Sequence, residues 1–557
     1  MAYSSRRIYR LVLFFLGLSG LLLMRLFYLQ VIHGPQLALE GLSIRVQELP
    51  VDVARGEILD RNRIPLTNIS QQYSIVIFPG QIENKTATAF AKLDSIIGLP
   101  PELLESGLRR LNTTEYPFRL TNGIESSTAK QINDMQLPGI VAVAEKVRYG
   151  HGALAAHVVG YINSADNRGV SGIESMYDAL LRGSQPEYVA AIVDAGQQLI
   201  PGLGYKRMKL TAADRETNIV LTIDKQIQQH VEEIMNRTIV KGAVVVMRPS
   251  SGEILAMASR PTFDANNLSQ YLEQNSSPLL NRAVSSYQPG SVFKLVVAAA
   301  ALENKTVKMD DVFFDPGYID VNNIRFQGWD YERGPKGRLT ITEAMAHSSN
   351  PVFIQIALNL GAEKLIAMAQ KLGYGSRTKL EFFGESEGNL PEADQLYPGD
   401  LANLAIGQGF CEATPVQLAQ TVATIVNDGI KVEPYIVSQL TSQEGVTVKN
   451  FQESRPNVRV MSRQTAEKLR GMMGAVTQYG TGQAAYVEGF GSAGKTGSAE
   501  TGRTNKTGQG INHAWFVGFA PLDHPKYVIV VFVEEGMSGS NVAAPIFREI
   551  AASILRY

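Results

Sequence analysis

Apolar and polar positions divide the chain into a short N-terminal stretch and a long mixed remainder. Arg6, Arg7 and Arg10 precede an uncharged, mostly apolar run from Leu11 to Met24; Arg25 interrupts it, and apolar character resumes through Ile32. The run before Arg25 alone suits the core of a signal peptide. Counting past Arg25 gives 22 residues (11–32), enough to cross a bilayer if Arg25 snorkels to the interface. No small-x-small cleavage site follows directly, so the segment reads as an uncleaved signal anchor. The arginines place the N-terminus in the cytoplasm, and everything after about residue 33 outside it, with no second apolar stretch long enough to span.

Residues 34 to about 215 mix strand-like runs, Tyr73–Phe78 and Tyr188–Val193, with amphipathic helical pieces. The charge-dense segment "RGEILDRNRIPLT", Arg55 to Thr67, reads on physical grounds as a solvated hairpin. A second domain begins near Asn218. "NIVLTI" predicts a strand, "DKQIQQHVEEIMN" a helix capped by Asp224, and "GAVVVMRPSSGEILAMAS" a hairpin turning at Pro249–Gly252. Near the C-terminus, "AWFVGFAP" and "YVIVVFVEEG" predict strands and Val542–Leu555 a closing helix. Strands at both ends with helical segments between predict an α+β domain whose antiparallel sheet is completed by the C-terminal strands and flanked by helices. The resulting division is 1–10 cytoplasmic, 11–32 transmembrane, and two domains at 33–215 and 216–557.

Composition adds limits rather than direction. At 557 residues the chain is too long for one compact core, and 45% hydrophobic with 19% charged residues argues against disorder. A net charge of −1 gives no reason to expect nucleic acid as a partner, and the single cysteine, Cys411, excludes an internal disulfide and any multi-cysteine metal site.

Candidate chemistry starts at "YQPGSVFKLVVAAAALEN". Lys294 is the lone charge in an apolar run, one helical turn after Ser291. Serine is a poor nucleophile until a neighbour takes its proton, and a lysine in a crowded apolar site has a lowered pKa and can be that neighbour. S-x-x-K also occurs at Ser127/Lys130, Ser376/Lys379 and Ser492/Lys495. Only Ser291 follows a Pro-Gly turn and opens a strongly apolar helix, whose N-terminus supplies N–H donors for an oxyanion. A capping serine with a snorkelling lysine explains the pair too. Ser348-Ser349-Asn350 is the only S-x-N in the chain, and a turn before a helix near Pro351 accounts for it equally well. Lys495-Thr496-Gly497 offers a cation, a hydroxyl and a glycine that lets a substrate backbone lie close to a strand. A second K-T-G, at 506–508, reads as a loop tip. "GFGSAGKT", Gly489 to Thr496, matches the phosphate-loop pattern letter for letter, but the glycine-rich stretch after it cannot continue as the helix that motif needs; no nucleotide is expected.

The order S-x-x-K, S-x-N, K-T-G resembles the serine penicilloyl-enzyme fold. The chain as a whole resembles a class B penicillin-binding protein, a monofunctional peptidoglycan D,D-transpeptidase, more of the elongation than the division type. The resemblance is carried by "RLFYLQ", "RGEILDRN", "LAAHVVGYI", "GVSGIE", "YQPGSVFK", "SSN", "GQGFCEATPVQLA", "GKTGSAE" and "HAWFVGFAP". It implies a membrane-anchored chain with a pedestal domain of dimerisation type at 33–215 and a transpeptidase domain at 216–557. It implies Ser291 as acylated nucleophile, Lys294 as general base, Ser348 as proton relay, and Asn350 holding the substrate amide. Lys495 and Thr496 would bind the terminal carboxylate of a D-Ala-D-Ala stem peptide, with Gly497 beside them, and the N–H groups of Ser291 and Ser498 would form the oxyanion hole. β-Lactams would be trapped on Ser291, a SEDS-family glycan polymerase would be the membrane partner, and neither metal nor cofactor is implied. Residual D,D-carboxypeptidase activity is compatible with the same chemistry. Glu381, Glu385 and Glu387 read as solvated, which leaves no carboxylate to activate a deacylating water. Three positions depart from the family pattern: Arg63 for a glycine, Ser498 for a threonine and Asn512 for an aspartate. A β-lactamase or sensor on the same fold, and a non-catalytic scaffold, remain as rivals.

Overall fold

A computed structural model of the protein describes residues 3–34, 37, 46–52, 55–82, 87–150, 152–163, 167–183, 187–194, 199–200, 204–209, 217–380, 382–451, 457–505 and 508–556. The apolar N-terminus is helical from Tyr3 to Phe27 and ends in one π-helical turn, Tyr28–Ile32. The span Arg7–Ile32 covers 26 residues; its most apolar 18-residue stretch has a mean hydropathy of 2.1 and no buried residue. A helix apolar on every face and left bare suits a membrane anchor.

The chain forms two compact units. The first comprises residues 1–55, 70–147 and 183–215. Its strands Phe118–Ile124, Ser70–Ile77 and Ile140–Val147 form an antiparallel sheet with Ser70–Ile77 in the middle. The pleat sends Ile75 and Ile77 into one core with Phe90, Leu93, Leu111 and Ile132 of three helices, and Val76 into another with Val143, Val189 and Ala191.

The second unit comprises 56–69, 148–182 and 216–557, so two stretches from the N-terminal half pack with the C-terminal domain. Its centre is a five-stranded antiparallel sheet: β1 (Gly242–Met247), β2 (Ile254–Arg260), β3 (Ala493–Thr504), β4 (Gly510–Ala520) and β5 (Tyr527–Val533), in the order β2-β1-β5-β4-β3. "YVIVVFV" is continuously apolar because both faces are covered. Val528, Val530 and Phe532 enter one core while Ile529, Val531 and Val533 enter the other. The smaller core packs helices α1 (Lys225–Thr238) and α6 (Ala544–Leu555). The larger holds α2 (Lys294–Glu303), α3 (Asn350–Leu360), α4 (Pro415–Val426) and α5 (Arg463–Gln478). Asp224 caps α1 as expected, accepting from the Gln226 and Ile227 amides. The strand "NIVLTI", Asn218–Leu221 in the structure, does not join the central sheet. It pairs with Val437–Thr441 in a separate four-stranded sheet.

The expectation of a solvated hairpin at Arg55–Thr67 holds for its fold and its exposed tip, Asn62, Arg63 and Ile64, with Leu59 bridged antiparallel to Pro65, and is corrected for its first arm, which is buried. Ile58–Leu59 pairs in parallel with Ile219–Val220, and both are buried. Asp60 is fully buried and accepts from the Asn62, Ile64 and Lys225 amides, so the acidic residue closes a turn. Arg63 has φ +62°, the left-handed region that favours glycine, and donates to Gly445 O at 3.0 Å and Gln439 Oε1 at 3.2 Å. Glu174 of "GVSGIE" is buried against Arg148, which also donates to Gly56 O of "RGEILDRN".

Candidate active site

The nucleophile candidate is held by a turn, not by the long helix expected from its sequence. Gly290–Phe293 is a 3₁₀ turn, and α2 starts at Lys294. Ser291 is half-buried and faces a cleft, while Lys294 is wholly buried. Tyr287 exchanges two backbone hydrogen bonds with Ala413, and the Gly290 amide donates to Gly407 O at 3.0 Å. The "GQGFCEATP" segment therefore clamps the turn from behind. On the other side Trp515 Nε1 donates to Gln288 O at 3.0 Å.

Lys294 Nζ donates to Ser348 O at 2.8 Å and Asn350 Oδ1 at 2.7 Å, with Ser348 Oγ at 3.3 Å. Lys495 Nζ donates to the same Ser348 Oγ at 2.8 Å and to Thr496 O at 2.9 Å. Ser348 hydroxyl thus lies between two buried lysines. Burial, with Lys495 nearby, holds the Lys294 ammonium well below the usual lysine range, and burial brings Lys495 to about 7. Ser348 itself has φ +56°, a strained conformation for a non-glycine residue. Among the described hydrogen bonds, Ser291 Oγ has none.

The strain at Ser348 is held by residues that the sequence pattern did not single out. Ser349 caps α3 by accepting from the Val352 amide and donates its hydroxyl to Asp315 Oδ2 at 2.6 Å. Asp315 is buried and also accepts from the Gly317 amide at 2.7 Å. Asn350 Nδ2 donates to Gln327 O at 3.0 Å, which fixes the amide with its oxygen toward Lys294.

Lys495, Thr496, Gly497 and Ser498 follow one another on β3. The hydroxyls of Thr496 and Thr481 share a hydrogen bond of 2.7 Å, and Ser498 Oγ accepts from the Gly539 amide at 3.2 Å. Gly497 has a packing reason of its own. A Cβ there would lie 2.9 Å from Pro289 O, 3.0 Å from Val292 Cγ2 and 3.1 Å from Trp515 Cβ. The nucleophile turn packing on β3 leaves room there for glycine. Where a phosphate loop would continue into a helix, the chain after Thr496 continues as β3.

Ser291, Ser348, Asn350, Thr481, Thr496 and Ser498 converge on one cleft of about 750 Å³. The other S-x-x-K pairs do not: Ser127 and Lys130 are exposed on helix Ser126–Asp134, and Ser376 and Lys379 lie in an exposed turn. Ser492 is buried, donating to Ala485 O at 2.8 Å. Lys506 and Thr507 of the second K-T-G fall outside the described residues, as does Glu381. Glu385 is not solvated; it is buried, accepts from the amide and hydroxyl of Thr378, and burial raises its pKa.

A serine, two lysines and a second serine in this arrangement suit acyl transfer, and comparison with known proteins names the family. Residues 242–552 match the penicillin binding protein transpeptidase domain, and residues 50–201 the penicillin-binding protein dimerisation domain. The chain belongs to the penicillin-binding protein transpeptidases. It is 31% identical to stage V sporulation protein D of Bacillus subtilis, over 94% of this chain and 82% of that one. It is 27% identical to the peptidoglycan D,D-transpeptidase MrdA of Escherichia coli, over 100% and 95%. Among solved structures it is similar to penicillin binding protein 3 from Mycobacterium tuberculosis complexed with aztreonam: TM-score 0.63, 28% identity, 91% of this chain and 96% of that one covered. The D,D-transpeptidase domain of a peptidoglycan glycosyltransferase from Eggerthella lenta gives TM-score 0.63 at 26% identity, covering 90% and 98%.

Within this family the three departures acquire positions. Arg63 pins a turn far in sequence from the cleft, whereas Ser498 and Asn512 both line it. Thr481, Asp315 and Glu500 are site residues that motif reading missed. Asp315 was legible only as one acid among many, because nothing in its local sequence points to Ser349.

Proposed function

We propose that Ser291 is the residue acylated by the donor stem peptide, in a D,D-transpeptidase that cross-links peptidoglycan. Neutral Lys294 takes the Ser291 hydroxyl proton as Oγ attacks the carbonyl of the penultimate D-Ala. The N–H groups of Ser291 and Ser498 receive the oxyanion. The proton then passes from Lys294 through the Ser348 hydroxyl to the departing amine, the C–N bond breaks and D-Ala leaves. An acceptor amine afterwards displaces Ser291 from the ester. Lys495 and Thr496 bind the terminal carboxylate, and Asn350 holds the substrate amide. The observation that carries this reading is the Ser348 hydroxyl placed between Lys294 and Lys495, at the wall of a cleft that Ser291 also faces.

The pedestal at 33–215 and the transpeptidase domain at 216–557 stand outside the membrane, with residues 1–10 in the cytoplasm and 11–32 spanning it. Arg6, Arg7 and Arg10 support this orientation. A SEDS-family polymerase beside the anchor, in an elongation-type role, rests on the sequence resemblance. The test is labelling with fluorescent penicillin and peptide mapping. Label should map to Ser291 and vanish in Ser291→Ala; label on Ser127 or Ser376 would overturn the assignment. A β-lactamase would shed the adduct within seconds. Here the adduct should persist, because the carboxylate lining the cleft, Glu500, stands about 7 Å along β3 from Ser498.

A further inference from the structure

The cleft has two walls that meet at the turn 346–350. On one side the Thr481 amide donates to Ala346 O at 2.9 Å and Lys495 Nζ to Ser348 Oγ at 2.8 Å, which ties the turn to β3 and its neighbour Thr481. On the other side Trp329 Nε1 donates to His347 O at 3.1 Å and Asn350 Nδ2 to Gln327 O at 3.0 Å. The second wall is therefore the end of strand Ile324–Gln327 and the loop after it, and Gln327, Trp329 and Arg333 of that stretch line the cleft.

Cations gather on this second wall, and all but one are matched. Arg325 forms a two-bond pair with Asp320 at 2.8 and 2.9 Å. Lys336, behind Trp329, gives both its bonds to the Asp330 carboxylate, at 2.5 and 2.6 Å. Arg333 ends the 3₁₀ turn Tyr331–Arg333, is exposed, and pairs with no carboxylate among the described residues. Its neighbour Glu332 does not line the cleft. The Arg333 guanidinium lies 5.7 Å from the Trp329 ring. That ring is more than half exposed, yet its N–H is fixed by His347 O, so a rigid apolar surface stands beside an unmatched cation.

In the proposed transpeptidase reading the acyl group still lies against β3 when the acceptor arrives. Aminolysis retraces acylation. The amine nitrogen bonds to the ester carbonyl carbon, the C–Oγ bond breaks, and the proton lost by the amine passes through Ser348 and Lys294 to Ser291 Oγ. The acceptor amine thus comes to Ser348, and the second wall is left for the body of its peptide. We infer that Arg333, beside the Trp329 ring, is a carboxylate-binding subsite for the acceptor. It selects stem peptides whose amine-bearing residue, a diamino acid with an aliphatic stem, keeps a free carboxylate rather than a carboxamide. The aliphatic stem packs on the indole, and the carboxylate meets the guanidinium. This rests on the transpeptidase reading, which places the donor on the opposite wall.

A competition between two acceptors tests the subsite. The full-length enzyme is given a donor stem peptide ending in D-Ala-D-Ala, together with equal amounts of two acceptor peptides. These end in the same diamino acid, one with its carboxylate free and one with it amidated. The two cross-linked products are counted by mass spectrometry. Amidation also changes the basicity of the amine, but by the same factor in every variant, so the shift between variants isolates the guanidinium. Relative to the parent, Arg333→Gln should move the product ratio toward the amide by roughly two- to fivefold, the range of an exposed ion pair. Arg333→Glu should move it further the same way, by repulsion. Because each ratio is internal to one variant, loss of folded protein cancels. A ratio unmoved by Arg333→Gln overturns the subsite, whatever Arg333→Glu does, and would leave the acceptor carboxylate to Lys495 and Thr496. A parent that transfers the donor to neither acceptor overturns the transpeptidase reading instead.

Discussion

Lys294 and Lys495 both donate to the Ser348 hydroxyl, at 3.3 and 2.8 Å, and two ammonium groups this close in a dry site oppose each other's charge. The proposed chemistry needs them to differ: on that reading Lys294 is neutral to accept a proton, and Lys495 charged to hold a carboxylate. Lys294 has its pKa pushed well down, by burial first and then by Lys495 and Lys336; Lys495 stays protonated below about 7. Acylation by penicillin should therefore rise with pH as Lys294 loses its proton, then fall as pH passes through about 7 and Lys495 loses its charge. The second-order rate constant from about pH 5 to about pH 10 reports these free-enzyme groups. Arginine stays charged throughout this range, so Lys495→Arg should remove the alkaline fall. An alkaline limb that survives the substitution would belong to another group.

At the scale of elements, the site depends on how the 3₁₀ turn Gly290–Phe293, the turn before α3 and β3 hold one another. The turn before α3 is braced by Asp315, through Ser349 Oγ and the Gly317 amide. Asp315→Ala leaves both donors without their acceptor in a buried place. A hydrogen bond to a charged group contributes roughly 1.5–3 kcal/mol. For a domain of this size the thermal midpoint should fall by roughly 3–6 °C, read as the temperature at which penicillin labelling is lost. An unchanged midpoint would show that the brace carries no stability. The three motifs and their order were legible in the sequence, as were the β1–β2 hairpin, the C-terminal strands and the Asp224 cap, because each is a local pattern. Non-local causes were not legible. Gly497 is fixed by Pro289 and Trp515, Asp60 by the Lys225 amide, and Glu385 by Thr378 and burial. "YVIVVFV" could be read as a strand but not as one buried on both faces, since that depends on α1 and α6 lying across the sheet.

For the whole molecule, the N-terminal helix decides whether the catalytic domain stays tethered. The 26 residues Arg7–Ile32 rise about 39 Å, more than the roughly 30 Å of a bilayer's hydrocarbon. Leu13, Phe14, Leu21 and Leu23 are each more than half exposed in the protein alone, and a bilayer relieves that exposure at this length. Arg25 interrupts the run, with its guanidinium 5.4 Å from the Tyr28 ring, and is long enough to reach toward the interface. A signal peptide would instead be cut away and release the domain. The protein extracted from membranes should therefore retain residues 1–32 by mass spectrometry, and an alkaline wash should not strip it from the membrane. On the proposed orientation, with Arg6, Arg7 and Arg10 on the cytoplasmic side, protease added outside spheroplasts should digest the chain beyond about residue 33 and leave an N-terminal fragment protected. A mature form beginning beyond residue 33 would identify the helix as a cleaved signal, and full protection of the catalytic domain would reverse the orientation.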